Sequence, residues 1–299
     1  GEPWCESSVK RVVSIALGGL SRLLVILPRW LFYFNSDVVA LLLYYVARYR
    51  RDVVEENLRY SFPEKGDAER RRIARQFYRH LSDLIHESVF LMHASARRIL
   101  ARCQYVNAEA LEQVYKEGKS AVVAAAHYNN WEFLTTAACA SHLKMLSIYK
   151  PMSNKWVERI MTRSRERLGG ETVAMRSVLR RVARSVKDSE SVLIGLISDQ
   201  APEEGGACYC GKFLNQETLF YRGAEDLARR YDFPVFYADM RRGSRRGDYV
   251  VHIREITAAP RQALDGWITQ EHMRLLEQSI RERPADWLWS HRRWKATRK

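Results

Sequence analysis

The sequence predicts an α/β protein, a mixed and mostly parallel sheet flanked by helices, with a hydrophobic helical membrane-anchoring region at its amino end. Three features predict it. After Gly118, short apolar runs alternate with amphipathic stretches of helical period: Ala121 to Ala126, Met145 to Tyr149, Val192 to Ile197, Pro234 to Met240 and Tyr249 to Ile256. Such alternation builds a largely parallel sheet covered by helices. Residues 53–101 are helical in pattern, and the first fifty residues hold the longest apolar runs. With 46% hydrophobic and 28% charged residues, a chain of 299 residues can bury a core.

Residues 1–52 form the first expected region, the membrane-associated helices. It is apolar from Val12 to Phe34 and from Val38 to Ala47, between Lys10 and Arg11 on one side and Arg48, Arg50 and Arg51 on the other. Arg22, Pro28 and Arg29 interrupt the longer run. An arginine at the centre of a spanning helix costs about 2.5–3.5 kcal/mol on insertion scales. An in-plane or shallow helix is therefore expected, burying Leu20, Leu23, Leu24 and Leu27, with Trp30, Phe32, Tyr33 and Phe34 at the interface. A buried pair of core helices is the alternative. No signal-peptide cleavage layout is present.

Residues 53–299 form the second region, a helical lead-in followed by the α/β core. The lead-in breaks at Ser61, Phe62 and Pro63 and restarts after Gly66 and Asp67 through Arg70, Arg71 and Arg72. His80, His86, Glu87 and His93 lie on it at spacings that match no metalloprotease arrangement, so they read as core or solvated residues. Five irregularly spaced cysteines fit reduced thiols, and Cys208 and Cys210 lack the second ligand pair of a zinc site.

Open sheets of this kind bind ligands beyond the carboxyl ends of their strands. There stand His127-Tyr128-Asn129-Asn130-Trp131-Glu132, then Tyr149-Lys150-Pro151, then Ser198-Asp199-Gln200, with Arg165 and Arg167 on the helix between the last two. A helix is expected over Phe133 to Leu143. On one continuous helix, residues five apart point about 140° away from each other. A strand-to-helix turn between His127 and Glu132 brings them together, with Asn129 or Asn130 supplying a left-handed turn or a cap. A carboxylate that holds one imidazole nitrogen lets the other accept a proton from an alcohol.

Taken together, these segments resemble the late, or secondary, acyltransferases of lipid A biosynthesis, the lauroyl and myristoyl acyltransferase branch of the lysophospholipid acyltransferase superfamily. The resemblance covers nearly the whole chain. It takes in the apolar amino end, Arg48 to Arg51, Asn57-Leu58-Arg59, the segment from His127 to Glu132, Tyr149 to Pro151, Ser198 to Gln200 and Trp287 to Lys295. It implies His127 as the base and Glu132 as its partner. Asn130, Lys150, Arg165, Asp199, Gln200 and Arg292 are expected to bind substrate. Lys150 stands where many members have arginine, which loses a bidentate phosphate grip, and Asn129 where many have glycine.

The implied reaction moves a fatty acyl chain from acyl carrier protein to a hydroxyl of a lipid A precursor, at the cytoplasmic face of a bacterial inner membrane, with no metal or bound cofactor. A related acyltransferase making an aminolipid or phospholipid shares the same core motif and stays open. The formal charge of +14 suits a phosphorylated glycolipid, an acidic carrier and a membrane surface, with candidate clusters at Arg70 to Arg72, Arg241 to Arg246 and Arg292 to Lys299. Nucleic-acid binding is the alternative from another class. It is disfavoured by the lack of a helix-turn-helix, RNP-like or zinc-finger pattern and leaves the apolar amino end unexplained. The chain has no G-x-S-x-G elbow and no glycine-rich phosphate loop.

Overall fold

The computed structural model describes residues 21–202 and 208–295. Leu20, the start of the first apolar run with Lys10 and Arg11, and the last residues of the carboxyl-terminal basic cluster lie outside them. Pro28 fixes the entry to α1 (Arg29–Leu41), which continues as a π-helical turn over Leu42–Val46. A left-handed Arg50 then turns the chain into α2 (Arg51–Ser61). The expected break at Ser61 to Pro63 is present, and α3 (Asp67–His93) follows, 27 residues and about 40 Å long.

Seven strands, β1 (Cys103–Val106), β2 (Ala121–Ala125), β3 (Lys144–Tyr149), β4 (Glu171–Ala174), β5 (Val192–Ile197), β8 (Val235–Arg242) and β9 (Tyr249–Thr257), make one sheet in the order β1-β9-β8-β2-β5-β3-β4. Within this sheet, among the described residues, only β8 and β9 pair antiparallel. The α/β expectation holds, as do the five expected strands. The short β1 and β4, with the separate hairpin of β6 (Cys208–Phe213) and β7 (Gln216–Tyr221), were not expected. That hairpin turns through Leu214 and Asn215, both at positive φ. A leucine there gives none of the usual turn signal, and Asn215 Nδ2 anchors the turn by donating to the Ser61 carbonyl.

Alternation along the strands sends side chains to two cores. One face carries Val123, Ala125, Met145, Leu193, Ala238 and Ile253, covered by α1, the end of α3 and α5 (Glu109–Lys116), which follows the short α4 (Ala96–Leu100). The other carries Val122, Leu146, Ile194 and Tyr237, under α7 (Val178–Lys187), α8 (Gly223–Tyr231) and α9 (Trp267–Glu282). A third cluster joins the hairpin, α2 and α3 to Trp287, Trp289 and Trp294.

Two expectations change at the amino end. Phe32 and Tyr33 are buried against the rest of the fold rather than held at an interface, and Leu24 and Leu27 pack on the core rather than facing outward with Leu23. The helical period decides this, because residues on one side of a helix recur every three or four positions. The outward side reads Leu23, Ile26, Trp30, Phe34, Val38, Leu41 and Tyr45, an exposed apolar ridge. Among the described residues no single helix is long and apolar enough to cross a membrane.

Candidate active site

The site begins with strand register. β2 and β5 pair in parallel with Ala125 opposite Ile197, so two residues further on His127 stands opposite Asp199. Asp199 Oδ1 accepts hydrogen bonds from His127 Nδ1 at 2.7 Å and from the His127 backbone N–H at 3.1 Å; Oδ2 accepts from Trp287 Nε1 at 2.8 Å. Asp199 is 2% exposed. Burial alone would raise its carboxyl pKa, yet the charge and hydrogen bonds of His127 with the Trp287 indole hold it well below the usual carboxylate range. An ionised carboxylate only accepts, so Nδ1 carries a ring proton, and in the neutral ring Nε2 then holds the lone pair. Gln200 Nε2 lies 3.4 Å from that Nε2, and the edge of Trp131 packs beside the ring.

The chain turns sharply after His127. Asn129 takes φ 52°, the left-handed conformation anticipated for it or Asn130, while its N–H donates to the Asp286 carbonyl and its side chain to that of Met240. Asn130 caps the next turn: its Oδ1 accepts from the Glu132 N–H, and its Nδ2 donates to Glu87 Oε2 at 2.6 Å. Glu87 is fully buried and also accepts from the hydroxyls of Tyr33, at 2.8 Å, and Tyr249, at 2.6 Å. Burial and the nearby Asp83 push its carboxyl pKa up against those three donors.

Beyond the cap the expected α-helix is a 3₁₀ helix, Trp131–Cys139, that ends early. Thr135 and Thr136 hydroxyls donate to the carbonyls of Glu132 and Phe133, three residues back, in competition with an α-helical ladder. The 3₁₀ helix presents Glu132 to Arg165 on α6 (Lys155–Glu166), whose guanidinium donates to both carboxylate oxygens at 2.6 and 2.9 Å, with Trp131 Nε1 at 3.1 Å as a third donor. Burial would weaken the Arg165 charge, but Glu132 outweighs it and strengthens its hold on the proton.

The sequence had paired His127 with Glu132. In the structure the carboxylate bonded to the imidazole is Asp199, and the oxygens of Glu132 are taken by Arg165 and Trp131.

Both groups open onto one cavity of about 410 Å³. His127, Glu132, Arg165, Lys150 and Gln200 form its polar part, and Leu111, Val123, Met145, Leu193 and Ile253 line its apolar depth. Small residues on the sheet, Ala125, Gly195 and Ala238, leave the room. A Cβ on Gly195 would stand 2.6 Å from the end of Met145.

A family model described as bacterial lipid A biosynthesis acyltransferase matches residues 7–296. The chain belongs to that family. A lipid A biosynthesis palmitoleoyltransferase of Escherichia coli (strain K12) is 22% identical over 252 residues, covering 82% of this chain and 79% of the relative. A lipid A biosynthesis acyltransferase of Shigella flexneri matches with the same figures. A Haemophilus influenzae enzyme with that description is 22% identical over 147 residues, 48% of this chain and 45% of its own.

In this lipid A acyltransferase fold, five of the residues singled out from sequence share the cavity wall: His127, Glu132, Lys150, Arg165 and Gln200. Asp199 sits directly behind His127, and Asn130 belongs to the buried support of the turn. Arg292 is exposed and outside the cavity lining, while its neighbour Arg293 is buried over the Phe220 ring. Sequence reasoning missed Trp287 as a donor to Asp199 and Glu87 as the anchor of Asn130. Glu87 shares the buried side of α3 with Asp83, Phe90 and Leu91, and an acid on an apolar helical stripe was the available signal. Among the described residues no group of three or more His, Cys, Asp or Glu side chains could hold a metal ion.

Proposed function

We propose that the protein transfers a fatty acyl chain from acyl carrier protein to a hydroxyl of a lipid A precursor, with His127 as the general base. The observation that carries this reading is an imidazole at the polar end of an apolar cavity, with Nδ1 tied to a buried carboxylate and Nε2 left to accept a proton. The donor chain lies in the apolar depth. The acceptor oxygen attacks the thioester carbon as its proton passes to Nε2, and Asp199 stabilises the imidazolium. The tetrahedral oxyanion then collapses, the C–S bond breaks, and the leaving thiolate recovers the proton. Arg165, held rigid by Glu132, supplies positive charge near the oxyanion.

We place the enzyme at the cytoplasmic face of a bacterial inner membrane; the apolar ridge along α1 supports attachment in the plane of a membrane, which brings the enzyme to a lipid acceptor. Incubation of purified enzyme with acyl-acyl carrier protein and a lipid A precursor bearing free 3-hydroxyacyl chains, followed by lipid mass spectrometry, tests the reading. A gain of one acyl mass that is lost in His127→Ala supports it. A gain on an aminolipid or phospholipid, with none on the lipid A precursor, would replace the acceptor.

A further inference from the structure

Residues 150–187 hold eleven lysines and arginines against three glutamates, a surplus of eight within a chain of formal charge +14. The fold uses some of these cations: Arg165 on Glu132, Arg181 on Glu171 and Glu190, Arg167 on the carbonyls of Leu91 and Ala94. Arg159, Arg163, Arg176, Arg180, Arg184 and Lys187 are exposed, and none of them is in an ion pair among the described residues. Beside them Met152, Trp156, Met175 and Leu179 are exposed too, and Met152 and Met175 also line the cavity. Asn154 fixes the start of α6 by accepting from the backbone N–H of Trp156 and Val157.

We infer that this basic, apolar lip on α6 and α7 is the docking surface for the acidic carrier protein that delivers the acyl chain. The inference rests on the donor reading above. A carrier must bring its thioester to the cavity entrance, and a protein rich in Asp and Glu is complementary to exposed arginines outside any ion pair beside an apolar rim. The position argues for a protein rather than the bilayer. The larger part of the apolar ridge, from Trp30 to Leu41, lies on α1, which is tied to the β8–β9 turn through Arg29 and Asp248. The lip covers the β3–β4 edge, at the other end of the strand order. One surface meets the lipid, and the other meets the donor.

The test is the triple variant Arg176→Glu/Arg180→Glu/Arg184→Glu, assayed for transfer from acyl-acyl carrier protein and for co-sedimentation with anionic phospholipid vesicles. The expected result is a KM for the carrier raised about tenfold or more, with kcat within about a factor of two and vesicle binding retained. The neutral Arg→Gln triple variant falls between it and wild type. An unchanged KM overturns the proposal. So does lost vesicle binding at unchanged KM, which assigns the lip to the bilayer. Failure of the donor reading shows separately, as wild-type enzyme that transfers from acyl-coenzyme A and never from the carrier.

Discussion

Two buried carboxylates stand on either side of the turn from His127 to Glu132, and their surroundings drive them in opposite directions. Asp199 accepts from an imidazole, an indole and a backbone N–H, and it is held ionised against its burial. Glu87 accepts from two tyrosine hydroxyls and an amide, beside Asp83, and it is pushed towards its neutral form. Both are almost fully removed from water. The difference shows that burial alone does not set the charge of a buried acid; a donor able to become cationic does. Asp199 therefore suits a partner to a proton-accepting histidine, and Glu87 suits a fixed support for the backbone that carries it.

The largest expected effect strikes the Asp199 side. His127→Ala lowers kcat by about 10²–10⁴-fold, the usual span for loss of a general base, with folding and vesicle binding retained; steady-state rates and vesicle sedimentation check it. Glu87→Leu comes next. It strands two hydroxyls and an amide, and about 3 kcal/mol of stability is expected to disappear in urea unfolding, with kcat reduced as Asn130 loses its anchor. Glu87→Gln has the smallest effect, because the amide oxygen still accepts from Asn130 and the Tyr33 hydroxyl can turn to accept from the amide nitrogen. Near-wild-type stability in the leucine variant would remove Glu87 from the support of the site.

pH separates the two acids further. Asp199 has a lowered folded-state pKa, so its contribution to stability is present above the ordinary value of 3.8 and fades as pH falls below it. Glu87 has a raised one, so its contribution is full below the ordinary 4.5 and fades as pH rises above it. Relative to wild type, Glu87→Gln therefore gains stability as pH climbs from about 4.5. The stability deficit of Asp199→Asn shrinks as pH drops below 3.8. Urea midpoints across pH 3–7 read both, and parallel curves for the two variants would break the comparison.

Much of this was legible in the sequence. The five long apolar runs became the five central strands because buried parallel strands need apolar residues on both faces. A left-handed turn or a cap at Asn129 or Asn130 was readable because few other residues tolerate that conformation, but not which of the two took which role. The partner of His127 was not readable. Glu132 is near in sequence, whereas Asp199 is 72 residues away and reaches the imidazole only through the pairing of β2 with β5. Thr135 and Thr136 shortened the expected helix through side-chain hydrogen bonds that helical periodicity does not register.

The most direct test of the central claim is the single-turnover rate of acyl transfer by Asp199→Asn at saturating donor and acceptor. An asparagine fills the same space without the charge that fixes the tautomer and stabilises the imidazolium. The rate is expected to fall about 10²-fold or more, with KM for both substrates within about twofold of wild type. A wild-type rate in a folded Asp199→Asn protein would contradict the account and return the role of imidazole partner to Glu132.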